Sequence, residues 1–378
     1  MNALRRLEEL GQSIWYDNIS RAILRGGELQ RMVNDGLLGL TSNPTIFDKA
    51  ISGSAEYDDQ IRALVRDDPG IEVAGLIQAL MVEDIRAAAD VLRPVYERTR
   101  GRDGYVSIEV TPSKARDTEG TIAEVMELHS RVGRPNTMIK IPATREGLPA
   151  ITRAIRAGVN INVTLIFSEA RYREVAGAYQ TGLEQRLGDG QPLGHIASVA
   201  SVFVSRIDTL VDAQLETRMA GERDPGEAAR LGRLRGKTAV ANTQMIYQAF
   251  KEIFSSPRFA ALRAAGAVPQ RPLWGSTGTK NPAYHDLLYV DSLVGPDTVN
   301  TVPPQTYAAI IDHGRPEATI ERGLDEARRL LEMLPGAGIH LARVLHTLED
   351  DGVAAFEKSF DGLYTNLARK KEMFAPTR

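Results

Sequence analysis

Apolar residues recur along this chain in short runs, each followed by a longer segment whose apolar positions return every three or four residues. Eight runs have the strand-like character: Ser13–Tyr16, Leu37–Leu40, Tyr105–Val110, Thr137–Ile141, Val159–Phe167, Ser198–Val204, Arg271–Gly275 and Thr298–Val302. The intervening segments read as helices, for example Leu76–Arg98, Thr121–Val132, Ser168–Leu187 and Gly226–Phe254. Repeated strand–helix alternation argues for a parallel sheet covered by helices. Eight repeats point to a closed (β/α)8 barrel of the TIM type rather than an open sheet, although periodicity alone does not show closure.

The remaining segments read as additional helices. One precedes the first strand, and a pair lies between Asp48 and Arg98, between the second and third strands. Three more occupy Glu317–Leu334, Ile339–Phe356 and Phe360–Met373. One barrel domain is expected over residues 1–378, with C-terminal helices from about residue 317. A barrel of this type absorbs about 250 residues and more, so the length does not demand a second domain. A helical C-terminus of this kind has room to pack beside the barrel mouth.

Composition narrows the chemistry. The 378 residues are 43% hydrophobic and 25% charged, with a formal net charge of −3, a balance that favours neither nucleic acid nor an anionic membrane surface. No apolar run is long enough to span a bilayer, and the N-terminus lacks a signal-peptide core. A cytoplasmic protein is expected. The absence of cysteine excludes disulfides, thiolate nucleophiles and Cys-ligated zinc. The six histidines form no HExxH or similar local spacing, so no metal site is expected from them.

Polar residues gather where the strands end, which is where barrel enzymes place their chemistry. The first run ends at Asp17 and the second at Thr41-Ser42-Asn43-Pro44. The third carries Glu109 and the fourth Lys140. The fifth holds Asn160, Asn162 and Thr164. The sixth holds Ser198 and Ser201, with Arg206 just beyond, and the seventh runs into Gly275-Ser276-Thr277-Gly278-Thr279-Lys280. Alternation puts Lys140 on the face opposite Ile139 and Ile141. The isoleucines suit the helix layer, so Lys140 points into the barrel. An amine shielded from water loses its proton more readily, and the neutral amine is the form that attacks carbonyls. The bland alternative is a lysine snorkelling to the mouth; the acidic and polar residues expected at the same rim favour catalysis.

The other candidates have bland readings too. Asp17 suits capping of the next helix. Glu109 sits in an apolar strand, where a charge needs a partner or a proton-transfer role; a structural ion pair, even with Lys140, satisfies the first. Asn162 and Thr164 share a face and either orient hydroxyls or fill a barrel layer. Arg206 and Lys280 are candidate phosphate contacts, the first as a planar fork and the second as a compact charge. Ser276, Thr277 and Gly278 offer backbone N–H groups at a presumed helix start. The bland role of Arg206 is a surface ion pair with Asp208 or Asp212.

Several segments together resemble the transaldolase family: TSNPTIF (Thr41–Phe47), VSIEV (Val106–Val110), MIKIPAT with EGLPAI (Met138–Ile151), NINVTLIFS (Asn160–Ser168), ASVASVFVSRID (Ala197–Asp208) and LWGSTGTKNP (Leu273–Pro282). Their order is far more specific than any one of them. YVDSLVGPDTVNTVPPQT and the chain length resemble the longer bacterial subgroup. The resemblance implies class I aldolase chemistry without metal or cofactor on small sugar phosphates, by a monomer or homodimer. It implies that Lys140 is the Schiff-base lysine and Asp17 the acid/base for bond cleavage. Glu109 and Thr164 would hold the catalytic water. Asn43 and Asn162 would orient the dihydroxyacetone unit, and Ser201 would add a substrate hydrogen bond. Arg206 would bind phosphate. Short members carry an arginine after the seventh strand where this chain has Ser-Thr-Gly-Thr-Lys, so the second phosphate contact passes to Lys280 with Ser276 beside it. The interval from Thr164 to Ser201 is longer than in short members, with the extra residues near Gly182–Gly194. The implied function is transaldolase activity. A fructose 6-phosphate aldolase is the alternative, disfavoured because small members of that type are much shorter.

Overall fold

The computed structural model describes residues 2–374. Eight strands form a closed, all-parallel barrel in sequence order: β1 (Gln12–Asp17), β2 (Gly39–Thr41), β3 (Val106–Glu109), β4 (Thr137–Pro142), β5 (Ile161–Ile166), β6 (Ser198–Phe203), β7 (Arg271–Gly275) and β8 (Thr298–Val302). Closure comes from β8 pairing with β1, with Trp15 opposite Thr301. The strands read as apolar runs because both faces are covered, one by the barrel interior and one by helices.

The interior is layered by alternation. At the N-terminal end, Arg271 donates to Ser13 Oγ at 2.9 Å and to Asp103 Oδ1 at 2.9 Å, forming a buried polar plug. Above it Trp15 fills the centre, fully buried, its indole N–H donating to Asp103 Oδ1 at 3.1 Å. Gly39 makes room for that ring, since a Cβ there would lie 2.6 Å from Trp15 Cδ2. The C-terminal layer is the polar one, and it contains Lys140.

Four expectations need correction. The helix expected over Gly226–Phe254 is two helices, Pro225–Gly232 and Thr238–Phe254. The break falls where Gly236 takes a left-handed φ of 67° and donates its N–H to Asp212 Oδ1 at 3.0 Å. The segment Glu317–Leu334 is helical only over Leu324–Met333, entered through left-handed Gly323. The two C-terminal helices are one, Leu341–Phe374, because Glu357-Lys358-Ser359 contains neither proline nor glycine to interrupt it. Finally, no helix begins at Ser276–Lys280; that segment is a loop, and the next helix is Leu288–Ser292. Gly182–Gly194, where the longer interval is expected to carry its extra residues, falls in the end of the helix Glu169–Gly188 and the loop after it.

The long C-terminal helix lies across the barrel mouth. Ser359 and Thr45 hydroxyls meet at 2.8 Å, and Lys370 donates to Asp58 at 2.8 Å and to the Ser54 carbonyl at 2.8 Å. Gly352 passes so close that a Cβ would stand 2.8 Å from Leu165 Cδ2. Leu165 itself is left-handed, φ 59°, within an irregularity of register between Val163 and Ile166. Left-handed backbone at a leucine costs about 1–3 kcal/mol and is sustained only by surrounding packing. The helix supplies that packing, and Phe356 on it reaches the cavity in the mouth.

Candidate active site

Register places the acidic and basic groups side by side. Glu109 pairs with Lys140 across β3–β4, and Lys140 pairs with Asn162 across β4–β5. Side chains at paired positions of neighbouring parallel strands share a face, so all three point inward. Lys140 is 5% exposed and Glu109 6%. Their charged atoms stand 3.5 Å apart, and Lys140 Nζ donates to the Ser42 carbonyl at 2.9 Å. Thr164 donates to Glu109 Oε1 at 3.3 Å. Burial raises Glu109 above the ordinary carboxylate range; Lys140 and Thr164 pull it back, and Asp17 adds to the rise.

Asp17 ends β1 at the same level. Thr41 Oγ1 lies 2.7 Å from its Oδ1 and 2.6 Å from Thr301 Oγ1, so neighbours from β2 and β8 orient the carboxyl. Burial raises Asp17 too, with Lys140, the Thr41 hydroxyl and Lys280 opposing the rise. Two carboxyls raised by burial thus lie around one amine, an arrangement suited to giving and taking protons. Asp17 caps no helix. Ser20 does that work for the helix Arg21–Arg25, accepting from the Ile23 N–H.

Asn162 is held at both ends, donating to Ser107 Oγ at 3.1 Å and accepting from Ser201 Oγ at 2.6 Å. Asn43 uses its Oδ1 to cap the helix Pro44–Ser52, taking the Ile46 N–H at 3.0 Å, and its amide nitrogen remains for the cavity. Asn160 and Ser198 do not belong to the mouth. Asn160 bonds Pro135 and Ala197 backbone, and Ser198 bonds the Ile161 carbonyl and Gln270, all toward the N-terminal ends of the strands.

These groups line a cavity of about 590 Å³, which Asp17, Asn43, Lys140, Asn162, Thr164 and Ser201 share with Arg206, Ser276 and Lys280. The volume suits a small polar metabolite. At its outer end Arg206 lies over the Phe203 ring at 5.4 Å and makes no ion pair among the described residues. The expected pairing with Asp208 or Asp212 does not occur. Asp208 instead accepts from the Ala239 N–H and Tyr289, and Asp212 from the Gly236 N–H and Tyr284. Burial lowers Arg206 from its ordinary value, with Asp351 offsetting part of the effect. An unpartnered, partly buried guanidinium costs free energy that an anion would recover. Ser276 has φ 54° and meets Ser205 Oγ at 3.1 Å, and Lys280 is exposed at the rim.

Sequence reasoning missed Thr41, Ser107 and Thr301 as orienting groups and Lys49, Phe203 and Phe356 as walls of the cavity. Alternation along Thr298–Val302 was a signal for Thr301, because it puts Thr301 on the face of Val299. Lys49 and Phe356 sit on helices whose position over the mouth no local pattern encodes. The C-terminal helix does pack beside the mouth, as its place in the chain suggested.

Comparison with known proteins bears on the whole chain. The model of the family described as transaldolase/fructose-6-phosphate aldolase matches residues 14–367. A protein named transaldolase from Trichodesmium erythraeum is 46% identical over 378 residues, covering 99% of each chain. One from Thermobifida fusca is 50% identical over 370 residues, covering 97% of this chain and 98% of its own. One from Saccharopolyspora erythraea is 48% identical over 362 residues, 95% of each. With the matched region running from the first strand of a closed parallel barrel into the helix across its mouth, the chain belongs to the transaldolase/fructose-6-phosphate aldolase family.

Proposed function

We propose that the protein transfers a dihydroxyacetone unit from a ketose phosphate to an aldose phosphate through a Schiff base on Lys140. The observation that carries this reading is a buried amine 3.5 Å from a buried carboxyl on the adjacent strand, the amine lining a cavity that it shares with Asp17 and an arginine without an ion pair among the described residues. Neutral Lys140 adds to the C2 carbonyl of the donor. The carbinolamine loses water, with Glu109 supplying the proton to the departing hydroxyl and Thr164 holding that water. The resulting iminium is the electron sink. Asp17 takes the C4 hydroxyl proton, the C3–C4 electron pair moves into the iminium, and an aldose phosphate leaves. The enamine that remains attacks the acceptor aldehyde by the reverse steps, and hydrolysis frees the new ketose and Lys140. Cleavage beside a hydroxyl needs a sink and a base, and these residues supply both.

Asn43, Asn162 and Ser201 orient the three-carbon unit. Arg206, with Ser276 and Lys280, takes the phosphate. Sedoheptulose 7-phosphate and fructose 6-phosphate are the proposed donors, and glyceraldehyde 3-phosphate and erythrose 4-phosphate the acceptors, in the non-oxidative pentose phosphate pathway of the cytoplasm. Residues 1–378 are read as one domain acting as a monomer or homodimer. The names of the relatives favour transfer over release of free dihydroxyacetone.

Borohydride reduction with fructose 6-phosphate, followed by peptide mass spectrometry, is the deciding experiment. The adduct is expected on Lys140 and absent from Lys140→Ala. Trapping retained in that variant would overturn the assignment. Assay of free dihydroxyacetone against aldose acceptance separates the two activities within the family.

A further inference from the structure

Away from the cavity, two histidines distant in sequence meet at one carboxylate. His313 Nε2 stands 3.1 Å from Asp286 Oδ1, and His285 Nδ1 stands 3.6 Å from the same oxygen. One donor atom from each of the three residues lies within 4.8 Å of the others, and all three side chains are exposed. A zinc-like ion held at about 2.0–2.2 Å by nitrogen and oxygen needs ligand atoms roughly 3.4 Å apart. The two contacts to Asp286 bracket that spacing.

We propose that His285, Asp286 and His313 form a surface site for a borderline divalent cation of the zinc type, separate from the catalytic cavity. Two imidazoles and one carboxylate favour zinc, cobalt or nickel over magnesium or calcium, which prefer oxygen-only sets. Two further observations point the same way. His313 Nδ1 faces Asp312 Oδ2 at 3.0 Å, the outer carboxylate that typically orients a metal-binding histidine. And three carboxylates, Asp286, Asp312 and half-buried Asp291, surround the imidazoles with no lysine or arginine ion pair to any of them among the described residues. The site is short of positive charge, and a cation supplies it.

One contact must yield on binding: the Leu287 N–H donates to His285 Nδ1 at 3.2 Å and must let go.

The cation would act on a neighbouring loop. Thr279 Oγ1 donates to the carbonyls of His285 and Asp286, both at 3.0 Å, and Thr279 precedes Lys280 at the cavity rim. His313 closes the helix Pro304–His313 that follows β8. A bound ion would fasten the loop bearing Lys280 to that helix.

The test uses tag-free full-length protein. Cobalt(II) is titrated and followed by visible absorption, then displaced with zinc, in the wild type and in His285→Ala, His313→Ala, Asp286→Asn and Asp312→Asn. One equivalent is expected, and each ligand substitution should weaken binding at least ~10-fold, with Asp312→Asn weakening it about 10-fold or more. All four positions are on the surface, so the variants should fold. Wild-type affinity no higher than that of the His285→Ala/His313→Ala double variant, or displacement of zinc by equimolar magnesium, overturns the site. Hydrogen exchange read across residues 276–292 should slow with zinc in the wild type only; unchanged exchange overturns the link to the loop.

Discussion

Arg206→Ala should separate binding from chemistry. The guanidinium has no ion pair among the described residues and lies 5.4 Å above the Phe203 ring. Its removal therefore leaves no buried carboxylate stranded, and the fold loses only a cation–π contact of about 0.5–1 kcal/mol. The main loss falls on the ligand. A hydrogen bond to a charged group contributes about 1.5–3 kcal/mol net, which predicts KM for a phosphorylated donor rising roughly 10- to 150-fold. A phosphate contact of the proposed kind is made in both ground and transition states, so kcat should change far less than KM. Steady-state kinetics with fructose 6-phosphate, compared with unphosphorylated fructose or dihydroxyacetone, reads this out. Arg206→Lys should recover part of the effect, since it restores charge but not the planar fork. Equal loss of kcat/KM for phosphorylated and unphosphorylated donors would refute the phosphate assignment.

Glu109→Gln removes the proposed proton donor while keeping shape and should slow Schiff-base formation by on the order of 10²–10⁴, measured as the rate of borohydride trapping; an unchanged trapping rate excludes Glu109 from water departure. Gly39→Ala puts a methyl 2.6 Å from Trp15 Cδ2 and should cost about 1–3 kcal/mol by overpacking. Thermal unfolding checks it, and an unaltered Tm would mean the barrel interior gives way freely. Burial pushes Asp208 up to about 7 from 3.8. The folded state thus binds its proton more tightly than the unfolded chain. The stability from this group is full below about pH 4 and is lost as pH rises toward 7, on the order of 1 kcal/mol per pH unit. Denaturant unfolding of wild type and Asp208→Asn from pH 5 to 8 should diverge accordingly; parallel curves would place the titration elsewhere.

Much of the barrel was legible residue by residue. β7 and β8 have the expected bounds, and the others differ by a few residues at their ends. Strands buried on both faces leave an apolar run that needs no tertiary information to read. Alternation within Met138–Ile141 was enough to turn Lys140 inward, where it is found nearly inaccessible. What local pattern could not supply was the far end of each polar contact. Arg206 near Asp208 and Asp212 looked paired, because sequence proximity on a helix suggests contact. In the fold the two aspartates turn to backbone amides and to Tyr284 and Tyr289 from the distant segment between β7 and β8, and Arg206 is left to the cavity. The run Gly226–Phe254 looked continuous because periodicity does not register a single left-handed glycine satisfied by Asp212.

Sequence by itself determined the eight-fold strand–helix alternation, the inward lysine and the polar strand ends, since these follow from side-chain period and burial within one segment. Tertiary structure decided the rest. Only closure of β8 onto β1 brings Thr301 to Thr41 beside Asp17, and only the passage of Leu341–Phe374 over the mouth sets Phe356 against the cavity. Nor could sequence spacing show His285 and His313 meeting at Asp286. The physical reason is common to all three: each contact joins segments far apart in the chain, so its geometry depends on how whole elements pack, a quantity that no local periodicity carries.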